Sequence, residues 1–198
     1  MANNTGAFGL RPLYRKNGGN VATKQCYVAA SYATALFVGD PVIYTTALAD
    51  KDATGRMPSV MKATLAAGNL HQGVIVSFEP LQTDLSKVHN PASTERVANV
   101  CFDEDVVYAV RGDGSGSPTK VYAGQNAILV QTAAGSAVTG LSGCHLDETT
   151  PTTTQNMTLH ILGVQPKEDN VLGDNVIYEV LLNTPLLAAG KVVGITAS

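Results

Sequence analysis

An all-β protein, a β-sandwich or β-barrel body with an extended N-terminal arm, is what this sequence predicts. Three observations point there. The 198 residues include twenty-two Val and twenty Thr, β-branched side chains that suit a pleated, half-buried surface better than a helix. Nineteen Gly and nine Pro cut the chain into short apolar runs. About ten such runs, with turn signals every 8–15 residues or so, match a sandwich or barrel. Hydrophobic residues make up 44% and charged residues 15%, which excludes a disordered composition. The length fits one domain that can bury a core without metals or disulfides.

Residues 1–24 read as an extended arm. The stretch NNTGAFGLRPLYRKNGGN (residues 3–20) is broken by Gly6, Gly9 and Pro12, which deny it a helix, and NGGN is a turn. Residues 25–198 read as a single β body. VGDPVIYTT (38–46) is a Gly-Asp-Pro turn followed by a strand, with Pro41 tolerated at its first position. ADKDATG (49–55) is a polar loop, and MPSVMKATLAAGN (57–69) a strand running into a loop, or a short helix. HQGVIVSFEP (71–80) is a compact strand ended by Pro80. The polar stretch from Leu81 to Glu95 is a long loop, the candidate for an inserted subdomain. Runs at 97–102 and 106–111 flank Asp103-Glu104-Asp105 and read as a hairpin with the acids in water. GDGSGSP (112–118) reads as a flexible loop tip, KVYAG and NAILVQT as short strands, and the Thr-rich ETTPTTTQN as a loop or extended edge. MTLHILGVQ (157–165) and NVIYEVLLN (175–183) form the strongest strand pair, and the tail ends in one more short strand. In the second member of that pair Val176, Tyr178, Val180 and Leu182 share one face.

Net charge is −3, which argues against a nucleic-acid binder. The total conceals an asymmetry. Residues 1–39 hold four basic and no acidic groups, and residues 40–198 hold nine basic and sixteen acidic, a net of −7. A basic arm on an acidic body suggests docking on something acidic, such as a copy of that body. Cys26, Cys101 and Cys144 are odd in number and lack CxxC spacing, so they read as small buried residues. No run is long enough for a membrane helix, and no apolar segment follows the N-terminal basic residues as in a signal peptide. A soluble protein made in the cytoplasm is expected.

The search for chemistry finds little. GDGSGS lacks the Lys-Ser/Thr of a phosphate loop. Arg111-Gly112-Asp113 spells an adhesion tripeptide, but Gly-Asp-Gly is also turn chemistry. Asp103, Glu104 and Asp105 are too close in sequence to wrap an ion, and no EF-hand pattern exists. Cys144-His145 with Asp147 nearby resembles a nucleophile, base and orienter, yet neighbours on an extended chain face apart. His71, His89 and His160 lie in separate segments without ligand spacing. Neither an enzyme, nor a metal, nor a cofactor is expected.

Several stretches, taken in order, resemble a known family. They are TGAFGLRPLYRKNGG, ATALFVGDPV, HQGVIVSFEP, PASTERVANVCFDEDVVYAV, TGLSGCHLDETTPTTTQNMTLHILGVQPKEDN and YEVLLNTP. The series resembles the tailed-bacteriophage head decoration or capsid cement proteins and covers nearly the whole chain. Family members often carry an aromatic after the PAST stretch, where this chain has Glu95-Arg96-Val97, and basic or aromatic C-termini, where it has GKVVGITAS. The resemblance implies a virion protein on the outer surface of an expanded shell, commonly a homotrimer, bound to the major capsid protein and bridging capsomers, with no nucleic acid or membrane partner.

The arm then gains a purpose. Phe8, Leu10, Pro12, Leu13 and Tyr14 offer apolar anchors, and Arg11, Arg15 and Lys16 offer charge; aromatic and Arg residues are favoured at interfaces and Arg grips carboxylates bidentately. These eight residues are the expected capsid or subunit interface, with the arm free to add to a neighbour's sheet edge. The alternative is another virion module, a tail component or a receptor- or carbohydrate-binding adhesin, although the chain has no Trp and only seven Tyr for a sugar platform.

Overall fold

The computed structural model describes residues 3–46, 48, 56–69, 71–116, 118 and 122–183. They hold twelve strands and no helix. The strands are β1 (Arg11–Arg15), β2 (Lys24–Val28), β3 (Pro41–Tyr44), β4 (Val60–Lys62), β5 (Gly73–Phe78), β6 (Arg96–Cys101), β7 (Val106–Arg111), β8 (Asn126–Ala127), β9 (Leu129–Gln131), β10 (Cys144–Leu146), β11 (Leu159–Val164) and β12 (Ile177–Leu182). Two five-stranded antiparallel sheets, β1-β7-β12-β11-β8 and β2-β6-β5-β3-β4, are consistent with a β-sandwich, and β9 and β10 form a separate ribbon. The strand expected in KVYAG falls partly on residues outside the described set, and the tail strand falls wholly outside it.

The second sheet curls. Its two edge strands come together where Tyr27 bridges Ser59 in parallel, with the Tyr27 amide donating to the Pro58 carbonyl at 3.0 Å. Each of its five strands sends at least one side chain into one apolar cluster: Cys26 and Val28, Ala98 and Val100, Ile75, Val42, and Val60. Alternation then points Val74 and Cys101 the other way, into a larger cluster covered by the first sheet. That cluster contains Tyr108, Val110, Leu159, Ile161, Val176, Tyr178, Val180 and Leu182. The β11–β12 pair and the inward face read from period-two patterning are therefore as expected. A bulge between Ile161 and Gly163 interrupts their register.

Two expectations are corrected. The runs around Asp103-Glu104-Asp105 do not form a hairpin. β6 pairs with β2 and β5, while β7 pairs with β1 and β12, so neither strand has an edge left for the other. The acidic turn carries the chain from one sheet to the other. A short polar connection between two β runs looks the same in sequence whether it closes a hairpin or turns a corner. The hydrogen-bond partners are the distinguishing feature, and they come from segments far from the connection in sequence.

The extended arm is the second correction. Residues 11–15 are a strand of the body, paired antiparallel with β7 from Arg11↔Ala109 to Arg15↔Val106. Leu10 lies in the main core at 1% exposure, where burying a Leu side chain contributes roughly 2 kcal/mol. The Leu10 amide donates to the Gly39 carbonyl at 3.0 Å. This close crossing needs glycine on both sides. Gly9 and Gly39 have φ of +68° and +90°, and a Cβ on Gly9 would sit 2.6 Å from the Gly39 carbonyl oxygen.

Candidate functional site

The eight residues expected at an interface are fixed in place along one edge of the first sheet. The Phe8 ring is flanked by two guanidinium groups, Arg11 at 4.9 Å and Arg111 at 5.4 Å from its centroid. Arg111 also donates to the Asn4 and Asn175 carbonyls, and Asn3 bonds the 171–174 turn through Val171 and Asp174. Tyr14 is 46% exposed and its hydroxyl donates to Glu179 at 3.0 Å. The nearby carboxylate and partial burial both raise the phenol's pKa, burial most. Leu10 is withdrawn into the core. Arg11, Tyr14 and Lys16 face solvent, and Pro12 and Leu13 are half-buried.

Two basic groups of this segment, Arg15 and Lys16, meet acids of their own chain. Arg15 pairs with Asp103 at 2.6 Å and Lys16 with Asp105 at 3.5 Å. The Asn17 amide donates to Asp105 at 2.5 Å. For Arg15 and Lys16 the acidic surface is the turn between β6 and β7 of the same chain. The three acids, expected in water, are half-buried. Glu104 is left with a raised pKa, from burial first and from Asp105 and Asp103 after it.

β1 is also an outer strand, so one side of its backbone faces away from β7. Pro12 removes a donor there, the register shifts between Pro12 and Tyr14, and Arg11, Arg15 and Lys16 surround it. Those features discourage strand addition. Sheet augmentation by a free arm is replaced by a side-chain surface on a fixed strand.

The remaining motifs take structural places. Arg111 of the RGD tripeptide is buried, and Asp113 accepts from the Ser115 amide and hydroxyl and the Glu148 amide. The GDGSGS loop is not a free tip, because residues 112–116 wrap around the buried Glu148. A Cβ on Gly112 would lie 2.0 Å from the Glu148 carboxylate, and one on Gly116 would lie 2.3 Å from its carbonyl oxygen. Cys144 is buried, and burial, with Asp40 nearby, pushes its thiol up to about 12, far from the thiolate a nucleophile needs. Its neighbour His145 bonds Thr132 at 2.8 Å instead. His71 is fully buried and pushed down to about 4 by burial. His89 stacks on Phe37 at 5.0 Å, and His160 bonds Asn126. Among the described residues no group of three His, Cys, Asp or Glu is placed to hold a metal ion.

Sequence reasoning missed two features. One is a buried polar knot: Asp40 accepts from Lys62 at 2.9 Å, Ser142 at 2.6 Å and the Phe37 amide at 2.9 Å. The other is a groove of about 620 Å³ beside β2 and β6, lined by Tyr27, Glu79, Leu81, Glu95 and Val97. The loop 81–95, which has no strand or helix, forms part of its wall. Arg96 holds that loop through the His89 and Lys87 carbonyls at 2.5 and 3.0 Å, and also donates to the Glu79 carbonyl just after β5 at 2.6 Å. The knot has no local signal, since its parts come from distant segments, while the groove is lined mostly by residues between 79 and 97, around the stretch that reads as a long polar loop. No family model, curated protein or solved structure matches the chain.

Proposed function

We propose that the chain is a structural virion protein that binds the outside of an expanded phage capsid and cements neighbouring capsomers. The observation that carries this reading is the collinear series of decoration-protein-like stretches over nearly the whole sequence. Its partner is the major capsid protein, and a homotrimer is the assembly the resemblance implies. The geometry supports a specific form of it. A binding strip of Arg11, Tyr14 and Lys16, with Pro12 and Leu13 between them, lies on a strand already ordered by β7. A free arm of about twenty residues loses conformational entropy on docking, whereas a preformed strip avoids most of that loss. Repeated at many junctions, modest interfaces of about 1,600 Å² raise the barrier to shell rupture. A tail component or adhesin is the other reading, and the buried Arg111 does not favour receptor recognition through the tripeptide.

Deleting residues 1–24 would remove β1 and Leu10, so loss of binding would be confounded with loss of fold. The sharper test is co-sedimentation with expanded shells lacking the protein, comparing wild type with the triple variant Arg11→Glu, Tyr14→Ala, Lys16→Glu. Wild type should bind saturably, and a folded variant should bind at least about tenfold more weakly. Equal binding by both would move the contact off this strip. No binding by wild type would end the cement reading.

A further inference from the structure

Glu148 is 2% exposed and no described cation pairs with it. It accepts from the Gly114 amide at 2.9 Å and the Tyr178 hydroxyl at 3.2 Å. The glycine loop 112–116 closes over it so tightly that neither Gly112 nor Gly116 has room for a side chain. A buried carboxyl without a cation favours its neutral form unless water can reach it. The neighbouring elements pull both ways: the Gly114 and Tyr178 hydrogen bonds favour the ionised form, and burial and the nearby acids oppose it. The loop after β7 brings Asp113, and the turn before β12 brings Asp174; both carboxylates oppose ionisation. β12 brings Tyr178, itself raised by burial and by Glu148, with Tyr122 beyond it. His145 on β10 and Arg111 on β7 lie around Asp113 and each other.

We propose that Glu148 is a proton-operated latch: neutral, it lies closed beneath the 112–116 loop, and ionised, it favours lifting of that loop so that water reaches the carboxylate. Burial, outweighing the two hydrogen bonds, pushes the group up to about 7, so the change falls in the neutral range. The sign follows from linkage. The closed state holds the proton more tightly than the open one, so opening becomes more frequent as pH rises from the ordinary carboxylate range to about 7, and then levels off. The loop adjoins the anchorage of the N-terminal segment, since Asn175 packs against Gly114 and accepts from Arg111, which also holds Asn4. The latch therefore lies beside the segment that leads into the surface proposed for shell binding, and it does not depend on that proposal.

Two measurements on the full chain test it. Carboxyl carbon chemical shifts should show Glu148 titrating between pH 6 and 8, roughly. Hydrogen exchange at residues 112–116, corrected for intrinsic rate, should speed up about tenfold or more between roughly pH 5 and 8. In Glu148→Gln, which keeps the shape and cannot ionise, that increase should vanish. Titration in the ordinary carboxylate range, equal protection at both pH values, or a pH response that persists in Glu148→Gln would each overturn the latch. Should the variant fail to fold, the wild-type titration and the wild-type exchange at residues 112–116 decide together, and either one failing overturns the latch.

Discussion

Asp40 and Glu148 both carry buried carboxyl groups in the same β body, and they are held in opposite ways. Asp40 has a lysine at 2.9 Å, a serine hydroxyl at 2.6 Å and a backbone amide at 2.9 Å. Glu148 has two neutral donors and two acids nearby. Burial alone therefore does not decide whether a carboxyl is a lock or a switch. The partner does. Asp40 joins β3, β4 and the segment before β10 into one unit, and its ionised form is satisfied from several sides. Among the described residues Glu148 has only two neutral donors, and what covers it is a loop in which Gly112, Gly114 and Gly116 allow the backbone to come close.

Removing the cation is the strongest way to break this contrast. Lys62→Met keeps most of the side-chain volume and leaves Asp40 charged and buried. We expect a loss of about 3–5 kcal/mol in urea unfolding. Adding Asp40→Asn should restore a substantial part of it, because the stranded charge is then gone. If Lys62→Met costs less than about 1 kcal/mol, Asp40 is hydrated and the knot is not a lock.

The same logic predicts the reverse at the other site. Glu148→Gln should stabilise the protein at pH 8 and do little at pH 5. The folded pKa is raised, so the wild type's stability falls as pH climbs from the ordinary carboxylate range to about 7, while the variant's contribution stays flat. The difference at pH 8 is on the order of 2–3 kcal/mol, less whatever the Gln amide loses against the Gly114 and Tyr178 donors. Unfolding curves at the two pH values measure it directly. A variant less stable than wild type at pH 8 would mean the ionised form is well satisfied.

These sites also show what a sequence reveals. The β class and the β11–β12 pair were legible, because period-two patterning is local and Val176, Tyr178, Val180 and Leu182 declare their face without reference to the rest of the chain. Gly39-Asp40-Pro41 was legible as a turn. That its carboxylate would meet Lys62 and Ser142 was not, since those residues lie far along the chain. GDGSGS reads as flexible because glycine permits flexibility, yet here it permits close approach to Glu148. The residue that reveals the difference is not in the motif. The arm failed for a related reason. Gly and Pro correctly excluded a helix, but whether extended chain stays free or joins a sheet depends on the open edge of β7, which no local pattern records.

The charge pattern of the N-terminal segment was legible in sign but not in weight, and the smallest expected effect makes that point. Arg15 and Asp103 sit 2.6 Å apart with both side chains partly in solvent, and the Lys16–Asp105 contact is longer and more open. Pairs this open to solvent on at least one side contribute about 0–1 kcal/mol and weaken with salt. Arg15→Ala should therefore cost under about 1 kcal/mol, a shift that largely disappears in high salt. The segment's attachment would then rest on Leu10 in the core and on the β1–β7 hydrogen bonds, with charge choosing where the strand lands rather than how firmly it stays. An Arg15→Ala loss as large as that of Lys62→Met would reverse the ranking and make the acidic corner a second lock.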